Sequence, residues 1–234
     1  MQFRRSQRTR QRAARSVNFV LLLALILSPF SATGRALAGQ PPQSNDPQQQ
    51  AQALLDTLTP QERVGQLFLV TFQGSDAGPD SHIGQLIADY HIGGVVLKRE
   101  MDNFVDAPEG PAAARSLIAG LQQIEADSAE DIRFDETNGE YLPAFIPLLV
   151  AVSQEGDGYP SDQILNGLSP QPSAMALGAT WQTGLAQQAG ELLGSELAAL
   201  GVNMLLGPSM DVLESPQPQN GGDMGVRSFG GDPY

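Results

Sequence analysis

The chain has 234 residues, with 26 acidic against 13 basic side chains, a formal net charge of −13 at pH 7 and no cysteine. That charge makes nucleic acid and anionic membranes poor partners, and the missing thiols exclude a disulfide scaffold, a cysteine nucleophile and a lipid-modified N-terminal cysteine. Stability must come from a packed core.

In chain order, the first predicted element is an export signal over residues 1–38. Arg4, Arg5, Arg8, Arg10, Arg12 and Arg15 precede an apolar run from Val17 to Phe30, and Ala36-Leu37-Ala38 supplies an Ala-x-Ala cleavage site before Gly39. The run is 14 residues long, short of the roughly 20 that span a bilayer, so cleavage is expected rather than anchoring. The mature chain is then secreted or extracytoplasmic, begins near Gly39 and has no membrane association. Removing the signal leaves six basic residues against 26 acidic ones, and a solvated acidic surface of that kind keeps an extracellular protein soluble.

Residues 39–53, including the Gln- and Pro-rich Gln40–Gln52, show no apolar periodicity and read as a linker. Folded sequence is expected from Leu54. Leu67–Phe72 suits a buried strand, and Asp80–Tyr90 carries Ile83, Leu86 and Ile87 at helical spacing. Val95–Leu97 is a second strand after Gly93-Gly94, and Pro111–Glu125 repeats Leu117, Ile118, Leu121 and Ile124 on one helical face. The acidic stretch Asp127–Glu140 reads as an exposed insertion. Phe145–Val152 is apolar throughout, as a central parallel strand requires. Trp181–Leu200 predicts a long helix burying Leu185, Ala189, Leu192, Leu193 and Leu197 and ended by Gly201, and Val202–Leu206 is a fourth strand.

Strands that alternate with helices imply right-handed βαβ units in a parallel sheet, either doubly wound or part of a (β/α)8 barrel. Residues 54–234 number 181, whereas a complete barrel takes about 250. The expected fold class is therefore α/β, specifically the N-terminal half of a (β/α)8 TIM-type barrel. Asp232-Pro233 looks like an N-cap followed by proline at the first helical position, as though another helix were about to begin.

Reactive residues in such folds sit just after the strands. Those positions are Gln73-Gly74-Ser75-Asp76, Lys98-Arg99-Glu100, Ser153-Gln154-Glu155 and Gly207-Pro208-Ser209-Met210-Asp211. His91 falls on the opposite face. His82 stands on the reactive side, but no clustered His, Cys or carboxylate at ligand spacing accompanies it, so neither a metal nor a cofactor is expected. Gly156 and Gly221-Gly222 lack the context of phosphate loops and read as turns.

A resemblance now enters on ordered motifs. Val64-Gly-Gln-Leu67, Gly93-Gly-Val-Val-Leu97 with Asn103, and Leu149-Val-Ala-Val-Ser-Gln-Glu-Gly156 are followed by Ala176-Leu-Gly-Ala-Thr180 and by Glu196-Leu197 with Leu200-Gly-Val-Asn203. Gly207-Pro208 with Asp211-Val212 and Arg227-Ser-Phe-Gly230 complete a series that resembles glycoside hydrolase family 3, with its β-N-acetylhexosaminidase branch closest. The resemblance implies a (β/α)8 first domain and hydrolysis of β-linked glycosides with retention, through two carboxylates and a covalent glycosyl-enzyme. A β-glucosidase of the same family and a noncatalytic carbohydrate-binding remnant are the alternatives.

The resemblance further implies that the aspartate nucleophile, the Lys-His-Phe-Pro-Gly-His type motif and the His-Asp acid/base all lie beyond Tyr234, so no catalytic residue is assigned here and this stretch alone is expected to be inactive. It places Arg227, Ser153 and Asp211 at the substrate. A guanidinium fork suits paired sugar oxygens, which favours the site over the alternative of a surface arginine that pairs with Asp211 or Asp232. Ser153 stands where the family has aspartate, and Ser161 where it has arginine. Glu155 matches a family glutamate that is not the nucleophile and reads as structural.

Overall fold

The computed structural model describes residues 46–106, 108–135, 139–212 and 224–231. The segment read as an export signal, Gly221-Gly222 and the helix start expected at Asp232-Pro233 lie outside the described residues.

The first element among the described residues is a helix, α1 (Pro47–Thr57), which begins inside the stretch read as linker and runs past its end. Gln and Ala are good helix formers and Pro47 occupies the first helical position, so local propensity builds a helix where apolar periodicity is missing. The same lack of periodicity leaves α1 with no buried residue. A second helix that the periodicity did not suggest, α2 (Pro60–Gly65), is started by a reciprocal cap. Thr59 Oγ1 accepts from Glu62 N–H at 3.2 Å and Glu62 Oε2 accepts from Thr59 N–H at 2.7 Å.

Then come β1 (Leu69–Val70), α3 (His82–Tyr90), β2 (Gly94–Val96) and α4 (Gly110–Ser128). The acidic insertion is a β-hairpin of β3 (Arg133–Asp135) and β4 (Gly139–Tyr141), tied to α3 by Arg133–Asp89 at 3.1 Å. After it lie β5 (Leu149–Val152), a short α5 (Ala174–Gly178), α6 (Thr183–Leu200) and β6 (Met204–Leu205). β1, β5 and β6 are shorter than their apolar runs, since pairing needs only the residues in register, and β2 is as long as its run but begins one residue earlier.

β1, β2, β5 and β6 form one parallel sheet in chain order. A doubly wound sheet would reverse its strand order at a switch point; consecutive neighbours, each joined through a helix except at the hairpin detour, are barrel topology, here in part. The register puts Val70, Val95 and Val150 in one row, and the last two are fully buried against the helix layer. Ile83 and Ile87 of α3, Leu117, Ile118 and Leu121 of α4, and Leu193, Leu197 and Leu200 of α6 complete that core. Leu185 and Leu192 of α6 are exposed, contrary to expectation. The buried apolar stripe of the helix is Leu193, Leu197 and Leu200, at i, i+4 and i+7, and the other two fall off it. Gly201, at φ 97°, ends the helix in the left-handed region as predicted.

The chain entering β5 is held by side chains rather than by a neighbouring strand. Ala144 N–H donates to Glu62 Oε1 (2.9 Å), Ile146 N–H to Glu125 Oε1 (3.2 Å), Leu148 N–H to Gln122 Oε1 (3.0 Å) and Val150 N–H to Asn203 Oδ1 (2.7 Å). Alternate residues of an extended chain point their N–H groups the same way, so four acceptors in a row can zip one edge. Glu62 and Glu125 are each only 2% exposed, and Glu125 Oε2 has no partner among the described residues. Burial, reinforced by repulsion from Glu62, raises the Glu125 pKa above its ordinary value, although the Ile146 bond opposes the shift.

A carboxyl whose folded pKa is raised binds its proton more tightly in the native state. Its stabilising share is present below the unfolded value and is lost as pH rises through the folded one. Glu125→Gln keeps an acceptor for Ile146 and carries no charge. Thermal melts from pH 4 to 8 should show the variant gaining on the wild type as pH rises; parallel curves would contradict the buried-charge account.

Candidate functional site

The C-terminal ends of the parallel strands share one edge, and the loops that follow them are stitched together in sequence. Asn103, 2% exposed, joins the first two: its Nδ2 donates to Phe72 O (3.0 Å) and Gly74 O (2.6 Å), while its Oδ1 accepts from Lys98 N–H (2.8 Å). Gln73 adds a bond to Asp102 at 2.6 Å. Gln163 joins the second loop to the third, accepting from Arg99 N–H at 2.7 Å and donating to Pro160 O at 2.7 Å. Arg99 in turn pairs with Asp106, and Lys98 with Glu100 on the surface.

The loop after β5 is folded around one carboxylate. Asp162 Oδ1 accepts from the N–H groups of Glu155 and Gly156, and its Oδ2 accepts from Gly158 N–H at 2.9 Å. Gln154 pairs with both the N–H and the C=O of Ile164, each at 3.1 Å, closing the loop base. Asp157 rises from the same turn with only Ser161 Oγ as side-chain partner, at 3.3 Å. Burial raises its pKa, and the Asp162 and Glu155 carboxylates add to that rise while the Ser161 bond opposes it.

Glu155 faces Arg227, which ends a short 3-10 turn (Gly225–Arg227). Arg227 Nε donates to Glu155 Oε2 at 2.7 Å and Nη2 donates to Oε1 at 2.8 Å, a bidentate pair. The carboxylate is 4% exposed and the guanidinium side chain 39%, so the pair presents its cationic half to solvent. The Glu155 hydrogen bonds push the Arg227 pKa still higher, and it stays charged. Gly207 lies against the same carboxylate: a Cβ there would stand 3.1 Å from Glu155 Oε1, and φ is +146°, so only glycine fits. Ser228, 1% exposed, has one hydroxyl proton within reach of both Asp211 O (3.3 Å) and Gly230 O (3.1 Å). It thereby ties the loop after β6 to the Arg227 turn.

The sequence-assigned residues thus separate into three situations. Arg227 stands on the mouth, and its partner is Glu155; it does not pair with Asp211, and Asp232 lies outside the described residues. Asp211 is exposed and linked to the arginine turn through its backbone. Ser153 is half-buried at the end of β5, its carbonyl accepting from Gln163 N–H at 3.2 Å. Ser161 is buried beneath Asp157. His82 is exposed, while His91 is buried at the far end of α3 with its pKa lowered by burial. Among the described residues no group of three or more His, Cys, Asp or Glu could hold a metal ion, and no helix is long and apolar enough to cross a membrane.

Sequence reasoning missed Asp162 and Gln163. The signal available was the run Ser161-Asp162-Gln163 just after a Gly-x-Gly turn, where a short acceptor can gather loop N–H groups. A hollow of about 660 Å3 beside Pro60, Val64, Phe68 and Tyr90 lies on the outer side of β1, away from this chemistry.

Three comparisons bear on the site. The sequence model of the Glycosyl hydrolase family 3 N terminal domain matches residues 59–234. A solved family 3 β-N-acetylglucosaminidase from Paenibacillus sp. str. FPU-7 is 36% identical, with a TM-score of 0.60 over 76% of this chain and 28% of that one. A β-N-acetylhexosaminidase from Beutenbergia cavernae DSM 12333 is 30% identical, with a TM-score of 0.53 over 75% of this chain and 46% of that one. Among curated relatives, a probable beta-glucosidase H of Emericella nidulans is 37% identical over 95 residues, which are 40% of this chain and 11% of that protein. The chain therefore spans a minor part of the proteins it matches.

Asp162→Ala would leave three backbone N–H groups of the Glu155 loop unpaired and should lower stability by about 3 kcal/mol. Chemical denaturation reads this directly, and limited proteolysis should open the chain near Gly156–Gly158. An unchanged midpoint would remove Asp162 as the organiser of the loop.

Proposed function

The chain belongs to glycosyl hydrolase family 3 through that family's N-terminal domain, and from that membership we propose that it supplies the sugar-facing wall of an exported, retaining β-N-acetylhexosaminidase. Residues 1–38 are the signal, residues 39–53 precede the domain although helical from Pro47, and residues 54–234 carry its first four β/α units. The observation that carries the reading is the Arg227 fork, held at the strand ends with its outer edge toward solvent. A planar cation with paired N–H donors recognises adjacent hydroxyls without taking part in bond cleavage.

On this reading Ser153 and Asp211 also meet the substrate. With serine in place of the family's aspartate and arginine, Ser153 and Ser161 offer neutral hydroxyls, so charge-assisted recognition falls to Arg227. Retaining hydrolysis needs a nucleophile and a proton donor on opposite sides of the scissile bond, and no residue of 54–234 is assigned to either role. The N-acetylglucosaminide preference rests on the 36% identity to the Paenibacillus enzyme across 76% of the chain. A β-glucosidase is the second reading, favoured by the similarity to the Emericella protein.

Expression of the full open reading frame that contains these residues, assayed on nitrophenyl β-N-acetylglucosaminide and nitrophenyl β-glucoside, separates the two. Faster release from the first substrate is expected; faster release from the second would select the glucosidase, and sugar binding without turnover the noncatalytic remnant. Arg227→Lys should lower kcat/KM at least about tenfold, since a lost charge-assisted hydrogen bond is worth roughly 1.5–3 kcal/mol, and wild-type kinetics would remove Arg227 from the substrate. N-terminal sequencing of secreted material should begin near Gly39; an intact start at Met1 in the membrane fraction would contradict cleavage.

A further inference from the structure

We propose that Glu155 is a positioning residue for substrate recognition: it fixes the guanidinium of Arg227 by its inner edge, so that only the outer edge meets an adjacent pair of sugar hydroxyls. The proposal rests on the reading of Arg227 as a sugar-contacting residue and adds what makes that contact directional.

An arginine has five N–H donors in one plane. Glu155 takes Nε–H and one N–H of Nη2, at 2.7 and 2.8 Å. That leaves both N–H groups of Nη1 and the second of Nη2, which no described residue accepts. Of these three, one N–H of Nη1 and that of Nη2 lie on the edge that points away from the side-chain stem, and the other Nη1 N–H is turned back toward Cδ. The first two run nearly parallel, spaced to meet two oxygens on neighbouring ring carbons.

Glu155 is itself immobilised from several directions. Its backbone N–H is held by Asp162, its carboxylate is 4% exposed, and Gly207 closes on Oε1 and Cγ at 3.1 and 3.2 Å from where a Cβ would stand. A long flexible arginine on the solvent side of a rigid carboxylate has one orientation rather than many. Without that anchor, each binding event would have to freeze the Arg227 rotamers.

The test uses Glu155→Asp, Glu155→Gln, Arg227→Lys and the double variant of the last two in the full open reading frame. Glu155→Asp keeps the charge that neutralises Arg227 but withdraws the carboxylate by one methylene, so both bonds cannot form in the present geometry. Glu155→Gln keeps the length and loses the charge and one acceptor. Both should lower kcat/KM by roughly tenfold to a hundredfold, the scale of an ångström's misplacement, with the loss carried mainly in KM if the sugar hydroxyls are bound equally in ground and transition states.

The decisive measurement is the double variant. On an Arg227→Lys background, Glu155→Gln should cost less than about twofold further, because a residue that acts through the arginine has nothing left to position. Full additivity of the two losses would overturn the proposal while leaving the Arg227 contact intact. Wild-type kinetics for Arg227→Lys would instead sink the underlying reading. Wild-type kinetics for Glu155→Asp, or failure of all the Glu155 variants to fold, would also overturn it by making Glu155 either idle or a residue of the fold.

Discussion

A carboxylate nearly closed off from water beneath a guanidinium is the constraint around which the mouth of this domain is arranged. Burying Glu155 without a counter-charge would cost several kcal/mol, so the chain must bring Arg227 back from 72 residues later. That return path explains otherwise unrelated features. Gly207 has no side chain where one would strike Glu155, Asp162 gathers the N–H groups that set the Glu155 backbone, and Ser228 fastens the arginine turn to the loop after β6. Remove the ion pair and these contacts have no common purpose.

The two ends of the sheet solve different problems with the same kind of residue. At the mouth, Asn103 and Gln163 bridge adjacent loops through amides that donate and accept at once, which fixes loop positions without adding charge there. At the opposite end, Glu62, Glu125, Gln122 and Asn203 take successive N–H groups of the chain entering β5. Buried polar networks are costly when incomplete and rigid when complete. Each network leaves one carboxylate oxygen without a partner among the described residues, Asp157 Oδ1 at the mouth and Glu125 Oε2 at the opposite end, and both carboxyl groups have raised pKa values, so acidity and stability are coupled at both ends.

The alternation of strand and helix was legible because apolar runs of the right length reappeared between helical periodicities, and the parallel order β1-β2-β5-β6 follows from it. Local signals failed where packing decides. The apolar spacing of α6 takes in Leu185 and Leu192, yet both are exposed, and its buried residues are Leu193, Leu197 and Leu200. Propensity without periodicity hid α1, and a six-residue helix such as α2 is too short for a period, although the Thr59–Glu62 capping pattern announced it. At the site, Arg227 stood out through its motif. Its partner did not, because nothing local links Glu155 to a turn so far along the chain, and the aspartates nearest in sequence looked equally suited.

The account turns on which edge of the Arg227 fork is free, and a crystal structure of the full-length product soaked with N-acetylglucosamine reads this directly. The predicted result is Arg227 Nη1 and Nη2 each within hydrogen-bond distance of one of two adjacent sugar hydroxyls, with Nε and the other N–H of Nη2 still on Glu155. A sugar bound elsewhere, or one that takes over the Nε edge and displaces Glu155, would contradict it.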